Sequence, residues 1–191
     1  GAADFVNDVL QRMGLKDAEV LEFDRDTRGQ AETVSCGLRD VSDSEPLYIF
    51  NIDTFRPGFV KPAVADVCDG YLEVFQGEGE HWSFVLPGEE HKVLRTTEKE
   101  RISDLCSDGL YYFRRKADFD AVFEQARREE DTVRGEFYIA PLYNRLIREG
   151  RDVRYHLIEA GEVIFCGTPA EYEALQAAPA PGLVRLRQGF Q

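Results

Sequence analysis

Pro46-Leu47-Tyr48-Ile49-Phe50-Asn51-Ile52-Asp53 is the stretch whose reading decides the fold. Leu47 to Phe50 and then Ile52 make a nearly unbroken apolar run of strand length. Its β-branched and aromatic content predicts a strand buried on both faces. The run stops at Asn51 and Asp53, and Thr54-Phe55-Arg56-Pro57-Gly58 follows as a loop. Open α/β sheets put their ligands at the carboxyl ends of central strands, where Asp53 falls. A carboxylate there can hold Mg²⁺ beside a phosphate, because Mg²⁺ takes one or two carboxylates and leaves its other positions to water and substrate oxygens. The plain alternative is a polar strand end that solvates its own loop.

Upstream of this run, Phe5, Val6, Val9, Leu10 and Met13 recur at helical spacing, and Gly14 stops the helix. Glu19 to Phe23 has the makings of a short strand. Gln30 to Val41 carries Ala31, Val34, Leu38 and Val41 on one stripe, a second helix with Thr27 as a possible cap. The order α, β, α, β with short connections predicts a parallel sheet with helices on its faces. Downstream, Tyr71 to Phe75 reads as a strand. Trp82–Leu86 and Lys92–Thr96 read as a hairpin around Pro87-Gly88-Glu89-Glu90. Asp108 to Arg114 is an aromatic strand, and Asp118 to Arg128 a helix with Phe119, Val122, Phe123 and Ala126 on one face. Gly135 to Gly150 has helical spacing from Ile139 to Ile147. Strands at Val153–Ile158 and Val163–Phe165 follow, and Thr168-Pro169 opens a last helix with Glu171 near its amino end. Leu183 to Gln191 has no assignable pattern.

The chain's 191 residues suffice for one domain with a sizeable core, and 43% hydrophobic with 31% charged residues is the balance of a globular protein in water. A formal net charge of −13 argues against nucleic acid or an anionic membrane as partner, since both need a basic footprint. A nucleotide site needs only a few local cations and a metal. No apolar run reaches the length of a membrane span, and Gly1 to Asn7 lacks a signal peptide's basic and apolar segments. Cys36, Cys68, Cys106 and Cys166 show no Cys-x-x-Cys spacing. They read as reduced thiols of a cytoplasmic protein rather than disulfides or zinc ligands.

Several short segments put acid, base and glycine together at strand ends and loops. In Thr27-Arg28-Gly29-Gln30-Ala31-Glu32-Thr33, Gly29 before a helix start can bring backbone N–H groups to an anion, and the Gln30 amide can read a base edge. In Thr97-Glu98-Lys99-Glu100, Lys99 can pair with a phosphate. In Arg134-Gly135-Glu136-Phe137-Tyr138, Glu136 can accept hydroxyl hydrogen bonds. Each has a bland counterpart: a helix start, an exposed turn, a helix cap. His81, His91 and His156 lie in no triad-like setting. Trp82 and Tyr111-Tyr112-Phe113 read as core rather than as a stacking platform.

In order and spacing, these pieces resemble the sugar-phosphate nucleotidyltransferases. The match uses Thr27 to Thr33, Leu47 to Asp53, Ser83-Phe84-Val85, Thr97-Glu98-Lys99, Ser107-Asp108-Gly109-Leu110-Tyr111-Tyr112-Phe113, Gly135 to Asn144 and Gly167-Thr168-Pro169. It implies a three-layer α/β/α domain over residues 1–178, Rossmann-like, with a mostly parallel central sheet plus an antiparallel hairpin region, and a tail at 179–191. It implies transfer of a nucleoside monophosphate from an NTP to a sugar phosphate or similar acceptor, with Mg²⁺ as cofactor and release of pyrophosphate, in capsule or polysaccharide biosynthesis. A homo-oligomer is compatible with it. By the same resemblance Gly29, Gln30 and Asn51 bind the nucleotide, and Asp53 holds the metal. Glu98, Lys99, Gly109, Glu136 and Tyr138 bind the acceptor, with Asp53 and Lys99 catalytic. The reaction would be an in-line displacement that needs no covalent intermediate.

The chain departs from the family pattern twice. The family's Gly-rich triphosphate loop, with its Arg and Pro-Lys, does not precede Asp4, so the chain is expected to begin inside the domain. Many relatives carry a second metal-binding Asp two residues before the Gly of Gly-Thr-Pro, where this chain has Phe165; Cys166 is too soft for Mg²⁺. Two alternatives therefore stay open: a non-catalytic nucleotide- or sugar-binding relative, and a nucleotide-sugar glycosyltransferase.

Overall fold

Residues Leu105–Phe113 form the spine of the protein, a strand buried at every position. A computed structural model describes residues 1–177. The elements are α1 (Ala2–Arg12), α2 (Gln30–Gly37), β1 (Leu47–Ile49), β2 (Thr54–Phe55), β3 (Gly70–Gln76), β4 (Ser83–Pro87) and β5 (Val93–Glu98), then the spine as β6. After it come α3 (Lys116–Glu129), α4 (Tyr143–Arg148), β7 (Val153–Leu157), β8 (Ile164–Phe165) and α5 (Pro169–Ala177). The larger sheet runs β5-β4-β6-β3-β7, with β1 also pairing β6. β2 and β8 make a separate antiparallel pair.

Alternation along β6 divides the core. Tyr111 and Phe113 pack with Phe119, Phe123, Phe137, Tyr143 and Leu146, the side covered by α3 and α4. Leu110 and Tyr112 pack with Tyr71, Ala65 and Cys68 on the opposite side. Phe113 stacks on Tyr143 at 4.5 Å and meets Phe119 edge-on at 5.4 Å. The Tyr143 hydroxyl donates towards the carbonyls of Tyr112 (2.8 Å) and Tyr71 (3.2 Å), so this large buried ring also satisfies its polar end.

The α/β architecture stands, but the sheet is mixed rather than mostly parallel. Of its ladders only β3–β7 is parallel; β1–β6, β3–β6, β4–β5 and β4–β6 are antiparallel. β4 and β5, joined by a short turn, pair antiparallel, and β6 returns between β4 and β3 antiparallel to both. The hairpin forms as expected, through a turn at Glu89–His91. α3 and α4 lie between β6 and β7, which reaches β3 on the far side of β6. The β1 run is likewise not buried on both faces: Leu47 and Ile49 point inward, Tyr48 and Phe50 are partly exposed, and Ile52 is 96% exposed. Its outer face meets rings rather than a helix, Tyr48 lying 4.8 Å from Tyr112 and 6.1 Å from Phe59.

Other expectations need smaller corrections. Glu19–Phe23 joins no ladder, and the second helix ends at Gly37 instead of Val41. In Gly135–Gly150 only 140–148 is helical, a 3-10 turn leading into α4. α5 starts at Pro169 behind a reciprocal cap: the Glu171 N–H donates to Thr168 Oγ1 (3.3 Å) and the Thr168 N–H to Glu171 Oε2 (2.9 Å). No helix among the described residues is long and apolar enough to cross a membrane. The expected tail at 179–191 lies outside the described residues.

Candidate active site

A cleft of about 460 Å³ opens where β1, β4, β6 and the start of α2 converge. It gathers Gln30, Asn51, Asp53, Glu98, Gly109, Glu136 and Tyr138, all singled out from sequence. Gly29 and Lys99 do not line it but hold residues that do.

Gly29 adopts φ +103°, and a Cβ there would come within 2.7 Å of the Phe137 carbonyl oxygen. Only glycine lets the two backbones meet so closely. The Phe137 N–H donates to the Arg28 carbonyl (2.7 Å), and the Ala31 N–H donates back to Phe137 O (3.0 Å). This clasp starts α2 and directs Gln30, whose Nε2 donates to Asn51 Oδ1 at 2.7 Å. Asn51 in turn lies against Gly109, where a Cβ would stand 2.3 Å from Asn51 Nδ2. Residues from three distant parts of the chain thus form one polar seam.

Asp53 is not on a strand end. It follows a turn and is pinned from β8: its carbonyl accepts the Cys166 N–H (2.8 Å), and the adjacent Thr54 pairs with Phe165. A Cβ on Gly167 would fall 2.7 Å from Asp53 Oδ2. The carboxylate therefore sits in a cradle that any other residue at 167 would fill.

On the opposite wall Glu98 is 8% exposed and accepts a hydrogen bond from the Ser83 hydroxyl, itself 3.2 Å from Tyr111 Oη. Burial raises the Glu98 carboxyl above the usual range, and the Ser83 hydrogen bond offsets part of that. Lys99, with a left-handed φ of 55°, turns its ammonium onto Tyr138, donating to Oη at 2.5 Å and lying 4.5 Å from the ring centroid. Glu98 Oε1 is 4.0 Å from it.

Asp108 is a cleft residue that the sequence reading did not single out by itself. It is 2% exposed. Its Oδ1 accepts the Leu110 N–H at 3.0 Å, while Oδ2 is buried without a partner. Burial first, then the charge of nearby Glu73, push its carboxyl up to about 8. Glu73 is fully buried and takes Arg56 on both oxygens, at 2.6 and 3.5 Å. Trp82, expected in the core, packs partly buried against the Phe75–Phe84 cluster and also lines the cleft, with His81 (4.3 Å) and Phe165 (4.9 Å) beside it. Tyr111 serves both core and cleft, whereas Tyr112 and Phe113 are core as expected. A tryptophan beside a strand with a Gly-rich approach, Gly77-Glu78-Gly79, was the available signal for a cleft wall.

No family model and no curated protein matches the chain. Among solved structures, the nucleoside-diphosphate-sugar pyrophosphorylase from Vibrio cholerae RC9 is 48% identical. It superimposes with a TM-score of 0.86 over 92% of this chain and 76% of its own. This chain belongs to the sugar-phosphate nucleotidyltransferases. More distant members share the fold. The inositol-1-phosphate CTP transferase from T. maritima is 16% identical, with a TM-score of 0.62 over 90% of this chain and 68% of that one. The CTP:phosphocholine cytidylyltransferase from Streptococcus pneumoniae is 11% identical, with a TM-score of 0.65 over 90% and 73%. As a nucleotidyltransferase by this resemblance, the protein is an enzyme of nucleotidyl transfer. Phe165 is part of the aromatic wall and offers no metal ligand.

Proposed function

We propose that this nucleotidyltransferase moves a nucleoside monophosphate from an NTP to a sugar phosphate or similar small phosphorylated acceptor, and that Asp53 is its metal ligand. The observation that carries the reading is the Gly167 cradle, which leaves the Asp53 carboxylate uncrowded on the same cleft as Gln30, Asn51, Glu98 and Tyr138. The described residues hold no group of three or more His, Cys, Asp or Glu suited to a metal. The single Asp53 carboxylate fits Mg²⁺, which can bind through one carboxylate and take the rest of its shell from water and substrate phosphates. Bound there, Mg²⁺ supplies charge neutralisation at the phosphate oxygens.

The chain's own residues supply position. The Gln30–Asn51 pair presents an amide edge to the nucleotide, with Gly29 fixing where that edge points. Lys99 offers a point charge to the acceptor phosphate once it leaves Tyr138. Glu136 and Tyr138 hold acceptor hydroxyls, and Gly109 lets the acceptor approach the β6 backbone. An acceptor phosphate oxygen then bonds to the α-phosphorus, the α–β anhydride bond breaks, and pyrophosphate leaves. Holding both reactants in line accounts for much of such a rate. Phe165 favours a second reading, a relative that binds but does not turn over.

The test is pyrophosphate release from each NTP with Mg²⁺ and a panel of sugar phosphates. We expect turnover that Asp53→Asn lowers by about a hundredfold or more without altering the urea midpoint. Nucleotide binding with no release from any pair would select the non-catalytic reading.

A further inference from the structure

Asp53 stands on a part of the cleft that apolar packing does not hold. It is exposed, and Ile52 before it is almost fully so, so neither side chain ties the turn to the core. The strand that follows, β2, is two residues long and pairs with β8 in a ladder separate from the larger sheet. β8 has an apolar footing, since Val163 and Phe165 pack with Phe75 and Phe84. β2 has none: among the described residues neither Thr54 nor Phe55 joins a buried apolar cluster.

Arg56 is what reaches from β2 to the larger sheet. It comes directly after β2, and its side chain is 8% exposed. Its Nε donates to Glu73 Oε1 at 2.6 Å, and Nη2 lies 3.5 Å from both Glu73 Oε2 and Glu162 Oε1. Nη1 donates to the Glu162 carbonyl at 3.2 Å. Glu73 belongs to β3, an interior strand between β6 and β7, and Glu162 ends the turn before β8. One guanidinium thus joins the end of β2, the approach to β8 and the middle of the sheet.

Glu73 is fully buried, and an unpaired carboxylate there is costly. Asp108 beside it adds a second acid, and His156 Nε2 comes no nearer than 3.9 Å. Yet a buried ion pair rarely gives more stability than apolar side chains of similar volume. Stability is therefore a poor account of this pair. What a planar guanidinium fork does give is direction, because it meets a carboxylate in one orientation.

Resting on the nucleotidyl-transfer reading above, we propose that Arg56 and Glu73 are positioning residues: the pair locks the β2–β8 ribbon against the sheet and so sets where the Asp53 carboxylate stands relative to Gln30 and Asn51. Neither residue lines the cleft, so both act through the backbone that carries Asp53. Small displacements of a group that must hold reactants in line are costly to rate.

Arg56→Met alone strands Glu73, so the informative protein is Arg56→Met/Glu73→Leu. There an apolar pair replaces the ionic one, and the urea midpoint should stay near the parent's. Hydrogen exchange on the full chain reads the ribbon directly. We expect the amides of 54–55 and 164–166 to exchange about tenfold faster or more, while Leu105–Phe113 stays protected. The kcat for pyrophosphate release should fall about tenfold or more with the acceptor KM unchanged. Lysine keeps the charge but cannot fork to Glu73 and Glu162 together. Arg56→Lys should therefore show both effects at about threefold, and it decides the question if the double variant fails to fold. Parental ribbon exchange, or parental kcat, in the folded variant overturns the proposal. If the wild type releases no pyrophosphate from any NTP, the transferase reading fails, and ribbon exchange alone decides whether the pair holds Asp53.

Discussion

Gly109→Ala tests the polar seam from its tightest point. Gly109 lies at φ +94° in β6, where the β3–β6 register shifts between Leu72 and Val74. A bulge of this kind is where a strand accommodates a left-handed residue, and glycine is the residue that does so without strain. An alanine there costs about 1–2 kcal/mol from backbone conformation alone. Its Cβ would also stand 2.3 Å from Asn51 Nδ2 and 2.8 Å from Asn51 Cγ, so Asn51 must turn away. Turning it breaks the 2.7 Å hydrogen bond from Gln30, worth about 1 kcal/mol net. The expected total is roughly 2–3 kcal/mol in urea denaturation. In an Asn51→Ala background the contact and the hydrogen bond are already gone, so the same change should cost only the conformational part. A coupling of about 1 kcal/mol between the two sites is therefore expected from a double-mutant cycle. Pyrophosphate release should fall about tenfold or more in the single variant, because the displaced amide no longer faces the nucleotide. A cost below about 0.5 kcal/mol, or one that Asn51→Ala leaves unchanged, would refute this account of the seam.

Two further perturbations probe the buried charges under the cleft. Arg56→Met leaves Glu73 and Asp108 without their shared cation, and should destabilise the fold by about 3–5 kcal/mol in urea; a loss under about 1 kcal/mol would show that the pair does not need it. Asp108→Asn tests the proton that burial holds on this group. The native carboxyl, raised from 3.8 to about 8, keeps its proton through a range in which the unfolded chain has lost it. The native state therefore binds more protons, and this group's contribution to stability declines as pH rises from about 4 to about 8. Asparagine cannot ionise, so the variant's urea midpoint should gain on the parent across that window and run parallel above it. A difference independent of pH would refute the assignment.

The elements that were legible from sequence are those fixed by local pattern. The Phe119, Val122, Phe123, Ala126 stripe predicts the buried face of α3, and all four are buried. The Pro87-Gly88-Glu89-Glu90 turn predicts the β4–β5 hairpin, and Thr168-Pro169 predicts the start of α5. What failed depends on partners far along the chain. Glu19–Phe23 has strand composition but no ladder partner among the described residues. The apolar run at Leu47–Ile52 looks doubly buried because Phe50 and Ile52 are apolar, yet Ile52 lines the cleft and is almost fully exposed. Asp108 sits in an aromatic strand and looks like a strand polar residue until Glu73 and Arg56 are brought beside it. No local pattern carries that information.

Asp53 lies in the cleft for a reason other than the one the sequence suggests. The sequence places it at the carboxyl end of a central strand, a position that usually collects ligands. In the fold it lies beyond β1, and the backbone of β8 fixes it: the Cys166 N–H holds its carbonyl, Thr54 pairs with Phe165, and Gly167 clears space beside its carboxylate. The Gly-Thr-Pro segment thus does two jobs at once, ending with the cap that starts α5 and beginning with the glycine that Asp53 needs. Phe165 belongs to the same two-stranded pair. The ladder that positions Asp53 therefore also carries a ring of the Trp82 wall. One position can therefore alter the surface of the cleft without moving the Asp53 carboxylate.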